Sequence, residues 1–393
     1  MAARLDFAKA VARVAGIRLY ERIRPRGVVT NSAVVPARIE ELTPEWLTGA
    51  LCSAHPGARV TDFTLGGGSD GTSSRRAITV SYNPAGAAAG LPTAIFAKST
   101  PSMVNRLLVG VTGAAGAEAL FYSRIRPELK IGAPAGYFGG WDPRTCRSMI
   151  LTEDVAVNRG AVFADASTMY VDRLAAEGMV REMASYHGQL WEDPRLDSTW
   201  TSLLTTESWQ RDFNAKTKFD AGAILGMRLA ADEVPAAIHS RKKELRPALA
   251  KSLALNAAGP RTLVHQDVHP ANWFRLPDGS FHLYDWQGIA KGNWAIDFSY
   301  AISAALTTTD RREWEQDLLR LYLDELAIAG GKAPRFDQAW LAYRQQMMHG
   351  FIFWTYTFLI GKVSTLQPDA HVRLLIRRIG QAAVDLQTLD SLR

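Results

Sequence analysis

Residues 263–288 read LVHQDVHPANWFRLPDGSFHLYDWQG, a run in which three polar residues stand between short apolar segments. The range 262–264 reads as the end of a strand. The ranges 272–275 and 281–284 read as two further strands, because the turn 276–280 between them contains Pro-Asp-Gly, which favours a tight connection. The pattern therefore predicts a β-hairpin that follows shortly after a strand.

The three polar residues are Asp267 in the loop before this hairpin, Asn272 at its entrance and Asp285 just past its exit. Since a hairpin returns the chain to where it began, we expect the three side chains to meet at one end. Two carboxylates and an amide oxygen suit Mg²⁺, which binds through a few protein oxygens together with phosphate oxygens. The third group can then remain free as a base.

The sequence HQDVHPAN at 265–272, with DWQ at 285–287, resembles the catalytic and metal-binding segments of the aminoglycoside phosphotransferase and choline kinase superfamily. These are small-molecule kinases related to protein kinases. The resemblance implies that Asp267 accepts the proton of the acceptor hydroxyl and that Asn272 and Asp285 hold Mg²⁺. It also implies an α+β, two-lobed protein-kinase-like fold, with a small antiparallel β-rich N-lobe and a larger, mainly helical C-lobe.

The upstream half of the chain predicts the β-rich lobe. Strands are expected at 60–65, 76–82 and 93–98, with the glycine-rich loop 66–71 between the first two. In this order of elements, the glycine loop leads from one strand into another. A Rossmann turn and a P-loop are different, because in both of them the glycine loop leads into a helix. The order of elements therefore favours the kinase resemblance.

In the superfamily, the glycine loop covers the nucleotide and a lysine pairs with the α- and β-phosphates. By position, Gly67, Gly68 and Ser69 belong to the loop, and Lys98 is the lysine. Glu118, near the start of a predicted helix, resembles the acid that orients this lysine; the alternative is a solvated glutamate on a surface helix. The implied cofactors are ATP, or GTP, with Mg²⁺.

The segment TEDV at 152–155 resembles the hinge of the superfamily, where the backbone of Glu153 and Val155 would contact adenine. Placing the boundary at this hinge divides the chain into three parts. They are an N-terminal helical extension at residues 1–40, an N-lobe at 41–154, and a C-lobe at 155–393 that carries the catalytic loop and the acceptor site.

Three further residues receive structural roles. A long helix is predicted over 166–191, and its apolar stripe makes His187 a buried, hydrogen-bonded histidine. Asp297 resembles the structural aspartate of the superfamily, which anchors the backbone of the catalytic loop. His265 is expected to brace this loop.

Two segments, one apolar and one basic, are relevant to whether the chain inserts into a membrane. The stretch 347–360 predicts a buried helix, since it is too short to cross a bilayer. Residues 1–26 predict an amphipathic basic helix packed on the lobe, with Asp6 and Glu21 diluting its charge. No stable insertion into a membrane is expected.

Composition indicates an ordinary globular protein of 393 residues, with 47% hydrophobic and 21% charged residues. Cys52 and Cys146 lie far apart, which argues against a disulfide scaffold and, with no visible secretory signal, predicts a cytoplasmic protein. The net charge of +6 is not concentrated in a basic run interleaved with aromatic residues, so nucleic acid is not an expected partner.

Three departures from protein kinases favour a small hydroxyl compound as the acceptor. Gln266 replaces the arginine that binds a phosphorylated activation loop, the interval 285–297 is too short for such a loop, and Trp286 replaces the Phe of D-F-G. Aminoglycosides are polycations, so the positive net charge does not favour them. The sequence leaves the acceptor and the oligomeric state open.

Two alternatives remain. His265, Asp267 and His269 form an H-x-D-x-H run whose imidazoles suit a transition metal in a metal-dependent hydrolase, although Pro270 would end the strand that aligns them. The chain would instead be a nucleotide-binding pseudokinase if Asp70, an acid within the glycine loop, prevented the loop from closing over phosphates.

Overall fold

A computed structural model describes residues 2–23, 28–163, 170–362 and 367–393. The chain forms two compact units. The first comprises Met1–Leu129 with Ala133–Ala161, and the second comprises Lys130–Gly132 with Val162–Arg393.

The first unit is built on one antiparallel sheet of five strands in the order β1-β2-β3-β5-β4. Alternation places the side chains of Ile78, Ile95 and Ala97 on one face of the sheet, where they are buried against Trp46 and its neighbours. The strands are β1 (Val60–Asp70), β2 (Ser74–Tyr82), β3 (Ala94–Ser99), β4 (Gly136–Asp142) and β5 (Arg147–Glu153).

One long helix and several short ones complete this unit. Thr43 caps the start of α2 (Pro44–Leu51), since its side chain accepts a hydrogen bond from the Trp46 N–H. The helices are α1 (Ala2–Ile23), α2 (Pro44–Leu51), α3 (Pro84–Ala88), α4 (Met103–Asn105), α5 (Ala114–Leu120) and α6 (Val155–Arg159), with 3₁₀ turns at Ile39–Glu41 and Arg126–Glu128 and π-helical turns at Arg106–Val111 and Phe121–Ile125.

Helix α1 is fixed to the first unit by a buried carboxylate. Glu21 accepts hydrogen bonds from Arg106 at 2.9 Å and from Arg147 at 2.6 Å. Glu21 therefore does more than dilute the charge of this helix, because its side chain is 3% exposed and binds two arginines of the unit. Burial alone would raise the pKa of Glu21, but the hydrogen bonds from the two arginines outweigh burial and lower it to about 2.

The glycine-rich stretch differs from its prediction. The loop expected at 66–71 is largely a strand, since β1 continues through Asp70 and pairs with β2, leaving only 71–73 as the turn. The register shifts between Leu65 and Gly68, and a β-bulge of this kind is where glycine is favoured within a strand. The glycines therefore form part of a hairpin.

The second unit is mainly helical. Helix α7 is shorter than predicted at its start, because Asp172 caps it and Tyr170–Asp172 are not helical; residues 166–169 lie outside the described residues. The helices are α7 (Arg173–Gln189), α8 (Arg195–Ser198), α9 (Thr206–Thr217), α10 (Phe219–Leu229), α11 (Ala236–Ser240), α12 (Leu245–Ala258), α13 (Ala295–Ala305), α14 (Thr308–Ile328), α15 (Phe336–Gln345), α16 (Met348–Gly361), α17 (Asp369–Asp385) and α18 (Thr388–Ser391), with 3₁₀ turns at Ala231–Glu233, Pro270–Asn272 and Trp286–Gly288.

The predicted hairpin is present in this unit. Its strands pair in antiparallel fashion across the turn 276–280, where Gly279 has a φ of +89°. The preceding strand pairs with a short strand that the sequence did not predict, Ala290–Gly292. The strands are β6 (Val162–Phe163), β7 (Thr262–Val264), β8 (Trp273–Arg275), β9 (Phe281–Leu283) and β10 (Ala290–Gly292).

The predicted fold class is confirmed: the structure is α+β, with an antiparallel sheet in its N-terminal part and mainly helices in its C-terminal part. Helix α16 is largely buried, as expected from its apolar sequence. Within the described ranges, no helix has the combination of length and apolar character that a membrane span requires.

Candidate active site

In the first unit, Lys98 and Glu118 form an ion pair. Lys98 lies near the end of β3, and its Nζ is 2.8 Å from a carboxylate oxygen of Glu118 on α5. Glu118 is buried, so the alternative of a solvated glutamate on a surface helix is wrong. The pair fixes the position of an ammonium group that would otherwise be mobile on a long side chain.

The β1–β2 hairpin brings its glycines close to the opposite backbone. A Cβ on Gly68 would lie 1.9 Å from the carbonyl oxygen of Arg75, whereas a Cβ on Gly67 would meet nothing within 4 Å. Ser69, the third predicted loop residue, is exposed and lies opposite Arg75. Of these two glycines, Gly68 is the one whose close approach to the opposite strand requires a residue without a side chain.

Asp70, the acid that raised the pseudokinase alternative, is paired within the hairpin. Its carboxylate accepts hydrogen bonds from the Arg76 guanidinium, with a closest separation of 3.2 Å. These hydrogen bonds hold the pKa of Asp70 below its ordinary value. The acid is therefore compensated locally.

At the predicted hinge, several groups are engaged within the first unit. The Glu153 N–H donates to the Ala135 carbonyl at 2.9 Å, and the Glu153 side chain pairs with Arg159 at 2.8 Å. Val155 is the first residue of α6, so its N–H has no acceptor within the helix. Contact of the Glu153 and Val155 backbone with adenine stays a prediction.

In the second unit, Asp297 holds the backbone of the loop that leads to Asp267. Its carboxylate accepts hydrogen bonds from the N–H groups of His265 at 2.6 Å and Gln266 at 2.8 Å. Burial opposes ionisation of Asp297, but hydrogen bonds from His187 and from the His265 backbone outweigh it and keep its pKa below the ordinary value. The structural roles predicted for Asp297 and for the buried His187 are confirmed.

Asn272 and Asp267 are joined directly. The side-chain amide nitrogen of Asn272 donates to the backbone carbonyl of Asp267 at 2.8 Å, and the backbone carbonyl of Asn272 accepts from the Tyr284 N–H at 3.1 Å. Asp285 follows Tyr284, with a φ of +61°. The hairpin thus joins the segments that carry the three predicted polar residues, and the orientation of the Asn272 amide leaves its oxygen as the atom for a metal.

His265 braces this arrangement, as predicted. Its Nδ1 accepts from the Asp267 N–H at 3.2 Å, which leaves the proton on Nε2 to donate to the Tyr284 carbonyl at 3.1 Å. Because both ring nitrogens are engaged, the geometry does not favour His265 as a metal ligand. Across the described ranges, no three His, Cys, Asp or Glu side chains are grouped to hold a metal ion.

His269 is the other histidine of the H-x-D-x-H run. Its Nδ1 accepts from the Ala271 N–H at 3.3 Å, and its Nε2 lies 3.7 Å from an Asp267 carboxylate oxygen. Burial lowers the pKa of His269 to about 3, so the ring is neutral at pH 7. His269 therefore packs beside Asp267 without charge.

Two residues at this site were missed by sequence reasoning. The Tyr300 hydroxyl lies 3.4 Å from Asp267 Oδ1, and its oxygen accepts from Trp354 Nε1 at 2.6 Å. Because the Tyr300 oxygen already accepts a hydrogen bond from Trp354, the Tyr300 hydroxyl donates its own proton towards Asp267. The signal available was the spacing from Asp297 to Tyr300, which places both on one face of α13.

The donor set fits Mg²⁺. The second unit offers one amide oxygen and one carboxylate, from Asn272 and Asp285, instead of a cage of carboxylates or imidazoles. A site of this kind binds Mg²⁺ when phosphate oxygens and water complete the coordination.

Comparison with known proteins gives a family for part of the chain. Residues 174–342 match the model of the phosphotransferase enzyme family. No curated protein sequence matches this chain.

Several solved structures resemble the fold distantly. A macrolide 2′-phosphotransferase from Brachybacterium faecium has a TM-score of 0.46 and 12% identity, over 81% of this chain and 91% of that chain. A choline kinase from Streptococcus pneumoniae has a TM-score of 0.44 and 13% identity, over 84% and 94%. An ethanolamine kinase from Plasmodium vivax has a TM-score of 0.44 and 10% identity, over 82% and 81%.

The family match includes the whole of residues 263–288, the segment that carries the predicted resemblance. The match confirms the predicted resemblance of this chain to the aminoglycoside phosphotransferase and choline kinase superfamily of small-molecule kinases, and it supports a phosphotransferase activity.

Proposed function

We propose that this protein transfers the γ-phosphate of ATP to a hydroxyl group of a small molecule. The hydrogen bond from Asn272 to the Asp267 carbonyl carries the proposal, because it joins the candidate base to the candidate metal ligand within the matched segment. GTP is the alternative nucleotide. The proposed compartment is the cytoplasm, in keeping with the two free cysteines, Cys52 and Cys146.

Each residue has a role in this proposal. Lys98 would bind the α- and β-phosphates, Gly67, Gly68 and Ser69 would cover them, and Glu118 would hold Lys98 in place. Bound Mg²⁺, held by Asn272 and Asp285, would neutralise charge on the phosphates.

The transfer step involves Asp267 and the acceptor hydroxyl. The hydroxyl oxygen forms a bond to the γ-phosphorus while the bond from that phosphorus to the β,γ-bridging oxygen breaks, which releases ADP. The hydroxyl proton passes to the Asp267 carboxylate. Most of the rate enhancement in such reactions comes from positioning and charge stabilisation, so rigid placement of Asp267 matters more than strong basicity.

Thermal unfolding of the whole chain tests the proposal. ATP or GTP is added with and without Mg²⁺, and Zn²⁺ is added alone, since a ligand that binds the folded state raises the midpoint. We expect the largest rise with nucleotide and Mg²⁺ together, and we expect Asp285→Asn to remove the part that needs Mg²⁺.

Other outcomes would contradict this function. A rise with Zn²⁺ and none with nucleotide would favour the metal-dependent hydrolase. A nucleotide response that is indifferent to Mg²⁺ in both proteins would favour the pseudokinase.

A further inference from the structure

The face of the sheet that carries Lys98 also carries an arginine that no part of the proposed function uses. Ser69 lies directly opposite Arg75 in the β1–β2 pairing, and Arg75 lies directly opposite Lys98 in the β2–β3 pairing. Directly opposite residues of antiparallel strands project their side chains to the same face, with Cβ atoms about 4.5–5.5 Å apart. Arg75 therefore stands between the glycine-bearing strand and the lysine.

The neighbouring arginine belongs to the other face. Arg76 pairs with Asp70 at 3.2 Å and lies 3.8 Å from Glu40, and its guanidinium also donates to the Arg75 carbonyl at 2.7 Å. Successive residues of a strand point to opposite faces. The acid of the hairpin is thus held on the face away from Lys98, and the two adjacent arginines serve different surroundings.

The guanidinium group of Arg75 is chemically suited to bind phosphate. Lys98 is paired with Glu118 at 2.8 Å, so together they bring no net charge to the phosphates of a nucleotide. A triphosphate carries several negative charges, and an arginine can bind phosphate oxygens in bidentate fashion with strong, charge-assisted hydrogen bonds. Arg75 is half-buried beside this pair.

We propose that Arg75 is a second phosphate-binding residue, because it lies directly opposite Lys98 on the face of the sheet that also carries Ser69. The proposal rests on the proposed use of a nucleotide. It adds a residue to the phosphate site at a position that the sequence alone did not single out.

Isothermal titration of the full chain tests Arg75. The ligands are adenosine, AMP, ADP and ATP, each with Mg²⁺, and the proteins are wild type, Arg75→Ala, Arg75→Lys and Arg76→Ala. We expect Arg75→Ala to weaken ADP and ATP by about ten- to a hundredfold, the effect of one charge-assisted contact, without changing the affinity for adenosine. Arg75→Lys should recover part of the loss, because it keeps the charge but not the bidentate geometry.

The matched control is Arg76→Ala, which removes an arginine from the same strand but from the opposite face. In this variant, the increase in affinity from adenosine to ATP should be the same as in wild type. Equal ATP affinity in wild type and Arg75→Ala would overturn the inference and leave the proposed function standing. A loss of adenosine affinity in Arg75→Ala, or a lowered unfolding midpoint, would assign Arg75 a structural role instead. Failure of wild type to bind any nucleotide would overturn the proposed function and the inference with it.

Discussion

At the scale of single residues, Asp267 is where phosphoryl transfer should be most sensitive. Asp267→Asn keeps the shape of the side chain but cannot take the hydroxyl proton. We expect turnover to fall by about 10²–10⁴, the usual contribution of a general base, while the affinity for ATP with Mg²⁺ stays measurable. ADP release in the presence of a panel of hydroxyl compounds measures the first quantity, and titration calorimetry measures the second.

The control for Asp267 is Asp278→Asn, in the exposed turn of the β8–β9 hairpin, where the carboxylate only caps Ser280. Its turnover should match wild type. Unchanged turnover in Asp267→Asn would remove this residue as the base.

Tyr300 should act on the reaction by positioning Asp267. Tyr300→Phe removes only the hydroxyl that donates to Asp267 Oδ1 and accepts from Trp354. We expect the catalytic rate constant to fall by about tenfold, the effect of one hydrogen bond to a charged group, while the dissociation constant for ATP stays unchanged. Loss of the buried acceptor for Trp354 should also lower the unfolding midpoint.

A matched variant separates positioning from stability. Tyr343 is likewise buried, and its hydroxyl donates to Glu315 at 2.7 Å. Tyr343→Phe should lower the midpoint in a similar way without slowing turnover. If both substitutions slowed turnover equally, the effect of Tyr300 would be that of a destabilised core.

The three polar residues of the candidate site could be proposed from the sequence because they lie close together along the chain. Asp267, Asn272 and Asp285 lie within nineteen positions of one another, and a hairpin is enough to gather their segments. Tyr300 and Trp354 could not be predicted in this way. Tyr300 contacts Asp267 and Trp354 contacts Tyr300, and this arrangement depends on how α13 and α16 pack, which sequence spacing does not report.

At the scale of elements, the β1–β2 hairpin depends on one glycine more than on the others. Gly68→Ala would place a Cβ 1.9 Å from the Arg75 carbonyl oxygen, so the strands must separate. Overpacking of this kind costs about 1–3 kcal/mol of folding free energy. We expect a lower unfolding midpoint and weaker binding of ATP.

Gly67→Ala serves as the comparison for stability, since its Cβ would meet nothing within 4 Å. Its midpoint should stay close to that of wild type. Equal unfolding midpoints for the two alanine variants would contradict this expectation and would show that the strands separate at Gly68 with little loss of stability.

The elements that were predicted well are those with a clear side-chain pattern. The strands β2 and β3 alternate between the core and the opposite face, and α16 is apolar for most of its length. The second half of β1 was missed because glycines provide no alternation to detect. The start of α7 was placed too early, because the cap at Asp172 is set by a local hydrogen bond and not by apolar spacing.

At the scale of the whole molecule, the buried Glu21 network predicts how stability depends on pH. The pKa of Glu21 is lowered to about 2 from an ordinary value of 4.5, so the folded state binds its proton less readily than the unfolded chain. The resulting stabilisation, about 3 kcal/mol, is fully present above pH 4.5 and is lost as the pH falls towards 2. Thermal unfolding between pH 6 and pH 2 measures the loss.

Glu21→Gln should be less stable at pH 6, by about 3–5 kcal/mol, because it leaves the buried Arg106 without its carboxylate. It should also lose less stability in acid than wild type does. Asp337→Asn removes an exposed partner of Arg335 and should change neither property appreciably. A wild-type acid response that persists in Glu21→Gln would assign the pH dependence to other carboxylates.

The left-handed backbone of Gln266 makes the shape of its loop depend on a distant part of the chain. Its φ of +63° is unfavourable for a residue with a side chain, by about 1–2 kcal/mol. The conformation is held by hydrogen bonds to Asp297, thirty-one positions further along the chain, and to the Gly288 carbonyl. A peptide spanning 262–288 would lack the Asp297 bond and relax to another shape, so these residues cannot be grafted alone onto a different scaffold. The geometry of this loop therefore depends on α13, the helix that carries Asp297.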